Sequence, residues 1–262
     1  MALTLDDRQR AMLQEMGVHV WLPASVSAPE VASVTPAPLP RKTAPVPVLA
    51  VQGQSPAIAA MDWGTLAHAA ATCQACGLCA GRKNATLYPS PAIAQADWMV
   101  VGDPPDEDED RLGRPFAEQA GVLLDNMLKA VGTRRTDSGA HGAYLTNVVK
   151  CRPPHGRNAQ ATELLQCAAF LDREIALVQP KVILSMGRFA NQLLLGEQPD
   201  VASLPLGKLR GTVHRYHGIA VVATYHPKLL LRTGADKAKA WADLCLAVAT
   251  VQETDPSLQS DP

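Results

Sequence analysis

The strongest constraint on the fold is an alternation of short apolar runs with helical segments, which starts near residue 60. Between the runs, apolar residues recur at helical spacing, as Leu164, Leu171 and Ile175 do within 161–178. Strands that alternate with helices predict βαβ units and a parallel sheet covered on both faces. We therefore expect an α/β fold, a three-layer α/β/α sandwich with a mainly parallel sheet of about four strands. The strand-length runs are 98–101, 144–149, 181–186 and 219–224.

The first 58 residues have a different sequence pattern. Residues 1–22 form a short helix-like peptide, and eight prolines follow between positions 23 and 56. Such a proline-rich stretch is typical of an extended linker. The sequence predicts four parts: a partner-binding peptide at 1–22, a linker at 23–58, the α/β domain at 59–252 and a disordered tail at 253–262.

Charge and termini suggest a cytoplasmic protein and no membrane partner. With 24 basic and 25 acidic residues, the net charge is −1, so bulk charge does not favour nucleic acid. The acidic run 106–110 carries five of those charges, and the rest of the chain is net positive, which leaves room for a basic face. The start of the chain lacks a basic segment followed by an apolar one, and prolines interrupt the longest uncharged run, 43–61.

Six cysteines in a reducing compartment favour metal binding or catalysis over disulfides. The spacing Cys73-x2-Cys76 puts two thiolates within reach of one metal centre, and Cys151 and Cys167 can supply two more. Four sulfur ligands suit zinc or an iron–sulfur cluster, and residue types alone do not choose between them. The alternative is that Cys151 and Cys167 are buried core thiols. Cys245, among apolar residues of a helical stretch, is predicted to lie in the core.

The candidate chemistry lies just past the strand ends, where parallel sheets place their ligands. Asp103 and His226 each follow an apolar run, and Asn147 lies near the end of another. The asparagine amide offers both a donor and an acceptor, as a pyrimidine edge requires. His226 is either structural or functional. Phe116 lies in a loop, where it forms either a flat wall for a stacked base or a plug that anchors the loop.

Several motifs in order resemble the family 4 uracil-DNA glycosylases, which carry a four-iron cluster. The resemblance runs from about Cys73 to Val251. It rests on the segments GRPF at 113–116, GVLLD at 121–125, YLTNVVKCRPP at 144–154 and YHPKLLLR at 225–232.

That resemblance implies a uracil-DNA glycosylase fold, extrusion of uracil from DNA and hydrolysis of its glycosidic bond in base excision repair. Gly102, Phe116 and Asn147 would bind the base, with Phe116 stacking on it and Asn147 bonding its edge. Asp103, Asn147 and His226 would be catalytic, and His226 would stabilise the charge that develops on the departing base.

The same resemblance assigns the cluster and the DNA contacts. Cys73, Cys76, Cys151 and Cys167 would hold a structural 4Fe-4S cluster, which would pin the loop 73–87 to the helix that carries Cys167, and Cys79 would be supernumerary. The DNA contacts would be a wedge of Leu229 and Leu230, with phosphates meeting Lys228 and Arg232.

Two departures from the family pattern and one further resemblance leave alternatives open. The first motif of the family reads approximately Gly-Glu-Gly/Ala-Pro-Gly, whereas this chain has GDPPD at 102–106, and Lys228 stands where the family usually has serine. Residues 13–21 resemble the peptide with which the psi subunit of DNA polymerase III binds the chi subunit. An alternative is therefore a catalytically degenerate adaptor that binds chi, and a third reading is a structural zinc domain without a DNA role.

Overall fold

The computed structural model describes residues 56–87, 95–196 and 204–254. The predicted peptide at 1–22, nearly all of the linker and most of the tail at 253–262 lie outside these ranges, so the proposed chi-binding segment 13–21 stays a prediction. No helix within the described ranges is both long and apolar enough to cross a bilayer.

Five strands and nine helices appear in the described ranges, with short 3-10 turns between them. The strands are β1 (Ala96–Gly102), β2 (Gly139–Asn147), β3 (Val182–Met186), β4 (Val213–Tyr216) and β5 (Ile219–Thr224). The helices are α1 (Pro56–Ala59), α2 (Trp63–Thr72), α3 (Glu107–Leu112), α4 (Glu118–Ala130), α5 (Ala161–Val178), α6 (Arg188–Leu195), α7 (Leu206–Leu209), α8 (Pro227–Arg232) and α9 (Lys237–Thr254).

The strands form one sheet in the order β2-β1-β3-β5-β4. Strands β2, β1, β3 and β5 run parallel to one another, and β4 pairs antiparallel with β5 at the edge. The chain leaves β1 toward β2 on one side and later returns to β3 on the other, which makes the gap between β1 and β3 a switch point where α/β sheets bind ligands. The predicted α/β/α fold is confirmed, with one more strand than expected.

The four parallel strands are buried on both faces along most of their length, which explains why they are largely apolar. Met99, Val101 and Ile183 point to the layer that contains α5 and α6. Val100 and Leu184 alternate with them and point to the layer that contains α4 and α9. A smaller cluster joins α2 to α5 beside the cysteines through Leu66, Ala70, Leu87 and Phe170.

Candidate active site

The carboxyl ends of the parallel strands bring the predicted residues to one edge of the sheet. Gly102 at the end of β1 is in register with Asn147 at the end of β2 and with Met186 at the end of β3. Thr224, in register with Met186, ends β5 two residues before His226. The parallel register therefore brings together site residues that are far apart in sequence.

Asn147 presents an unpartnered acceptor. Its side chain is fully buried. The Nδ2 group donates to the Asp103 carbonyl oxygen at 2.9 Å and to Glu109 Oε1 at 3.2 Å. Its Oδ1 atom is buried and has no hydrogen-bond partner. A buried amide oxygen without a donor costs roughly 1–3 kcal/mol, so this atom is ready to accept a hydrogen bond from a ligand.

Glu109 connects the parts of the site, although the sequence did not single it out. Its carboxylate is 1% exposed. Oε1 accepts the backbone N–H of Phe116 at 2.6 Å in addition to the Asn147 amide, and Oε2 accepts the backbone N–H of Asp106 at 3.0 Å and Lys228 Nζ at 2.8 Å. Asp106 and Glu109 also form a capping box at the start of α3. That Asp-x-x-Glu spacing was the available sequence signal, because it marks a helix start inside the acidic run.

Phe116 is held in a fixed position rather than in a mobile loop. The side chain is 1% exposed and the residue has φ of 51°, a left-handed conformation that is uncommon for a bulky residue. Its ring stacks on the His226 imidazole, with centroids 5.3 Å apart and planes inclined by 17°. A Cβ atom at Gly102 would lie 2.6 Å from the Phe116 Cζ atom, so a glycine is needed where the strand passes the ring.

His226 is a buried, neutral histidine. It caps α8, and its Nδ1 accepts the backbone N–H of Lys228 at 3.2 Å, which leaves the proton of the neutral ring on Nε2. Burial, together with the nearby Lys228 charge, lowers the pKa of His226 to about 3, and Asp106 acts in the opposite direction. The imidazole is therefore a hydrogen-bond donor that carries no charge over the whole physiological range.

Asp103 lies at the switch point and holds the start of α6. Its Oδ1 accepts the backbone N–H groups of Phe189 at 2.7 Å and Ala190 at 3.3 Å. A Cβ atom at Gly187, which has φ of 113°, would lie 2.3 Å from the carboxylate. Burial raises the pKa of Asp103, although these hydrogen bonds act against the rise. The structure thus gives this carboxylate a capping contact, and its catalytic role stays a prediction.

The DNA contacts predicted for α8 need one correction. Leu230 is 1% exposed and packs in the core, whereas Leu229 is 41% and Leu231 48% exposed. A wedge of Leu229 and Leu230 is wrong for Leu230, because the helical turn directs it inward. Lys228 also differs from a simple phosphate ligand, since its ammonium contacts Asp106 Oδ2 at 2.6 Å as well as Glu109. Arg232 is exposed.

Five cysteines line a single cavity beside α2 and α5, namely Cys73, Cys76, Cys79, Cys151 and Cys167. Burial raises the pKa of the Cys167 thiol to about 12, and it also raises the pKa values of Cys76 and Cys151. No three His, Cys, Asp or Glu side chains in the described ranges are arranged to hold a single metal ion. Cys245 is exposed on α9, so its predicted place in the core is wrong.

A partly exposed arginine and a buried lysine support this cavity. Arg82 donates to Cys151 Sγ at 3.1 Å and to the Cys73 carbonyl oxygen at 3.1 Å, and so joins the two halves of the cysteine set. Lys150 donates its backbone N–H to Cys167 Sγ at 3.4 Å, while its Nζ contacts Glu174 Oε2 at 2.5 Å and the Asn147 carbonyl oxygen at 2.8 Å. The Lys150–Glu174 pair is fully buried, and it links the cysteine cavity to the strand end that carries Asn147.

Comparisons with known proteins indicate the family to which the chain belongs. The model of the uracil DNA glycosylase superfamily matches residues 90–245. The chain is 36% identical over 163 residues to the Type-4 uracil-DNA glycosylase of Sulfurisphaera tokodaii, a match that covers 61% of this chain and 71% of the relative. The corresponding enzyme of Archaeoglobus fulgidus is 35% identical over 61% of this chain and 78% of its own. The enzyme of Thermotoga maritima is 34% identical, in a match that covers 63% of this chain and 81% of that enzyme. The chain therefore belongs to the uracil DNA glycosylase superfamily and, within it, to the type-4 uracil-DNA glycosylases.

Proposed function

We propose that this protein hydrolyses the N-glycosidic bond of uracil in DNA. The observation that carries the proposal is the buried, unpartnered Oδ1 atom of Asn147. Uracil has an N3–H donor at the position where cytosine has an acceptor, so this oxygen can pair with uracil and not with cytosine. A site whose buried polar group hydrogen-bonds to a ligand rejects an analogue that lacks the matching donor. With that analogue bound, the polar group of the protein is left buried and unpaired.

Hydrolysis of the glycosidic bond requires the uracil base to be flipped out of the DNA duplex. In the proposed complex the uracil lies against Gly102, Phe116 and Asn147, and the ring of Phe116 supplies the stacking surface. Exposed Leu229 and Leu231 fill the space that the base leaves in the stack. Arg232 at the end of α8 contacts a phosphate.

Bond cleavage breaks the C1′–N1 bond, and the bonding electrons leave with the base. Water adds its oxygen to C1′ and releases a proton, and the uracil anion takes up a proton from solvent, so the products are free uracil and an abasic site. The neutral His226 donates from Nε2 to the base oxygen on which negative charge develops, an interaction that strengthens in the transition state. The Asp103 carboxylate beside the pocket is the candidate acceptor for the proton of the water.

The cysteine cavity fits an iron–sulfur cluster better than a single ion. In a four-iron cluster each cysteine binds a different iron atom, so the sulfurs need not converge on one point. Four of the five thiols suffice, and we assign Cys73, Cys76, Cys151 and Cys167 to the cluster, with Cys79 to spare. When bound, the cluster supplies a rigid link between the loop after α2 and α5. Brown protein with about four iron atoms per chain is the expected result, and colourless protein with one zinc would refute the assignment.

The activity is tested on a uracil-containing oligonucleotide, single- and double-stranded, with anaerobically purified protein. We expect release of uracil by the wild type and a large loss in Asn147→Ala and in His226→Gln. The control is Cys245→Ser, an exposed residue of α9, which should match the wild type. Release by Asn147→Ala at the wild-type rate would refute the site, and no release by cluster-loaded wild type would refute the activity.

A further inference from the structure

The segment that runs from the end of α8 into α9 presents basic and aromatic side chains on its surface. All but two of the residues 231–242 are exposed. Arg232 ends α8, and Lys237 and Trp241 lie one turn apart on the same face of α9. Trp241 is 47% exposed, so its ring is accessible to a ligand. We call Arg232, Lys237 and Trp241 the α9 surface.

The acidic side chains of this segment are already paired with basic ones. Asp236 is 18% exposed and accepts from Lys239 Nζ at 2.9 Å. Asp243 is 1% exposed and accepts from Arg210 Nε at 2.7 Å and from its Nη2 at 2.9 Å. Residues 227–251 contain no other acidic residue. The α9 surface therefore carries positive charge, which is complementary to a nucleic-acid strand.

Arg210 also holds the first turn of α9 beside the candidate active site. Its Nη2 group donates to the carbonyl oxygen of Lys239, and its Cζ atom lies 4.7 Å from the centre of the Tyr225 ring. Tyr225 directly precedes His226 in the sequence. Helix α9 packs in the same apolar cluster as β5, the strand whose carboxyl end leads to His226. The α9 surface therefore begins at the edge of the sheet where the site lies.

An exposed aromatic ring between basic side chains suits a single strand of DNA better than a duplex. An unpaired base can stack on the face of a tryptophan, whereas the bases inside a duplex already stack on one another and leave no face free. Basic side chains beside the ring hold the phosphates of the same strand. A strand whose uracil occupies the site continues past the flipped nucleotide, so its flank can reach the α9 surface.

We propose that the α9 surface binds the single-stranded DNA that flanks the uracil, with an unpaired base stacked on Trp241 and phosphates held by Arg232 and Lys237. This inference rests on the proposed function, since it takes the site to bind uracil in DNA. It adds a contact with a neighbouring base, which the residues around Asn147 do not supply.

The test measures binding of the full, cluster-loaded chain to a short single-stranded oligonucleotide whose central nucleotide is 2′-fluoro-2′-deoxyuridine, which resists hydrolysis. Trp241→Ala should bind at least ~5-fold more weakly, the loss expected for one base stacked on an aromatic ring. Trp241→Phe should restore most of the affinity. Lys237→Met should make the logarithmic salt dependence of binding less steep by about 0.7, because one phosphate contact is lost. Lys129→Met, an exposed lysine in the last turn of α4, is the matched control and should keep the wild-type salt dependence.

Two further DNA probes separate stacking from a structural effect of the substitution. In the first, abasic spacers replace the bases on both sides of the uracil, so no base can stack on Trp241, and Trp241→Ala should bind it as the wild type does. The second is a fully paired duplex with the same central nucleotide, which both proteins should also bind equally. Wild-type affinity of Trp241→Ala for the intact single strand, or an equal loss on all three DNAs, would overturn the inference while the proposed function stands. A wild type that releases no uracil from either single- or double-stranded DNA would overturn the proposed function and this inference with it.

Discussion

Replacement of Gly102 by alanine should displace Phe116 from the proposed base-binding position while leaving the sheet intact. The added Cβ would lie 2.6 Å from Cζ of Phe116 and 3.2 Å from its Cε1 and Cε2 atoms. Carbon atoms normally approach to about 3.5–4.0 Å, so the overlap is on the order of 1 Å. The ring has little room to retreat, because one face lies on His226 and the Phe116 N–H is bonded to Glu109 at 2.6 Å.

Gly102→Ala is expected to lower both the free energy of unfolding and the rate of uracil release. Overpacking of a filled core costs about 1–3 kcal/mol. A displacement of about 1 Å in a group that positions the substrate costs on the order of 100-fold in rate. Single-turnover uracil release and thermal unfolding measure the two effects. The matched control is Gly207→Ala, where a Cβ meets nothing within 4 Å. Wild-type release by Gly102→Ala, with Gly207→Ala also normal, would refute the fixed position that we give to Phe116.

Three further perturbations test other parts of the structure. Lys150→Met leaves Glu174 buried without its cation, which should cost roughly 3–5 kcal/mol and lower the thermal midpoint of unfolding; an unchanged midpoint would contradict the buried pair. Because the pKa of His226 is about 3 when folded and near 6.5 when unfolded, the unfolded chain takes up the proton first as pH falls. Stability should therefore decrease from pH 6.5 toward pH 3 by up to ~5 kcal/mol. His226→Gln should lack this component, and equal pH profiles for both proteins would exclude it. Arg82→Met removes the donor to Cys151 Sγ and should lower the iron content after anaerobic purification, measured against wild-type protein prepared in parallel; equal iron content would show that Arg82 is dispensable.

The central layers of the fold could be predicted because their signals are local. Continuous apolar runs marked the four buried parallel strands, and helical spacing predicted 161–178, which the structure reproduces as α5. Strand β4 (Val213–Tyr216) was missed because it is short, half-exposed and lies at the sheet edge, so no apolar run marks it. Its existence depends on pairing with β5, which is a tertiary effect.

The site was predictable only where a residue lies at the end of a strand or within two residues after it. Asn147 and His226 follow from that rule, whereas Glu109 does not, because an acidic run suggests a solvated surface. Its burial depends on donors from the loop before α4, the end of β2 and the start of α8, and no local pattern contains them. Which face of α8 is buried could not be predicted from the sequence either, since the inward direction of Leu230 depends on where that helix packs.

The most direct test of the account compares DNA that contains uracil with DNA that contains N3-methyluracil. The methyl group removes the N3–H donor that we pair with Asn147 Oδ1 and keeps the glycosidic bond. Anaerobically purified, cluster-loaded protein should release uracil and should release N3-methyluracil at least ~100-fold more slowly, the loss expected when a buried acceptor is left unpaired and the base is displaced. Equal release of both bases would contradict recognition through Asn147.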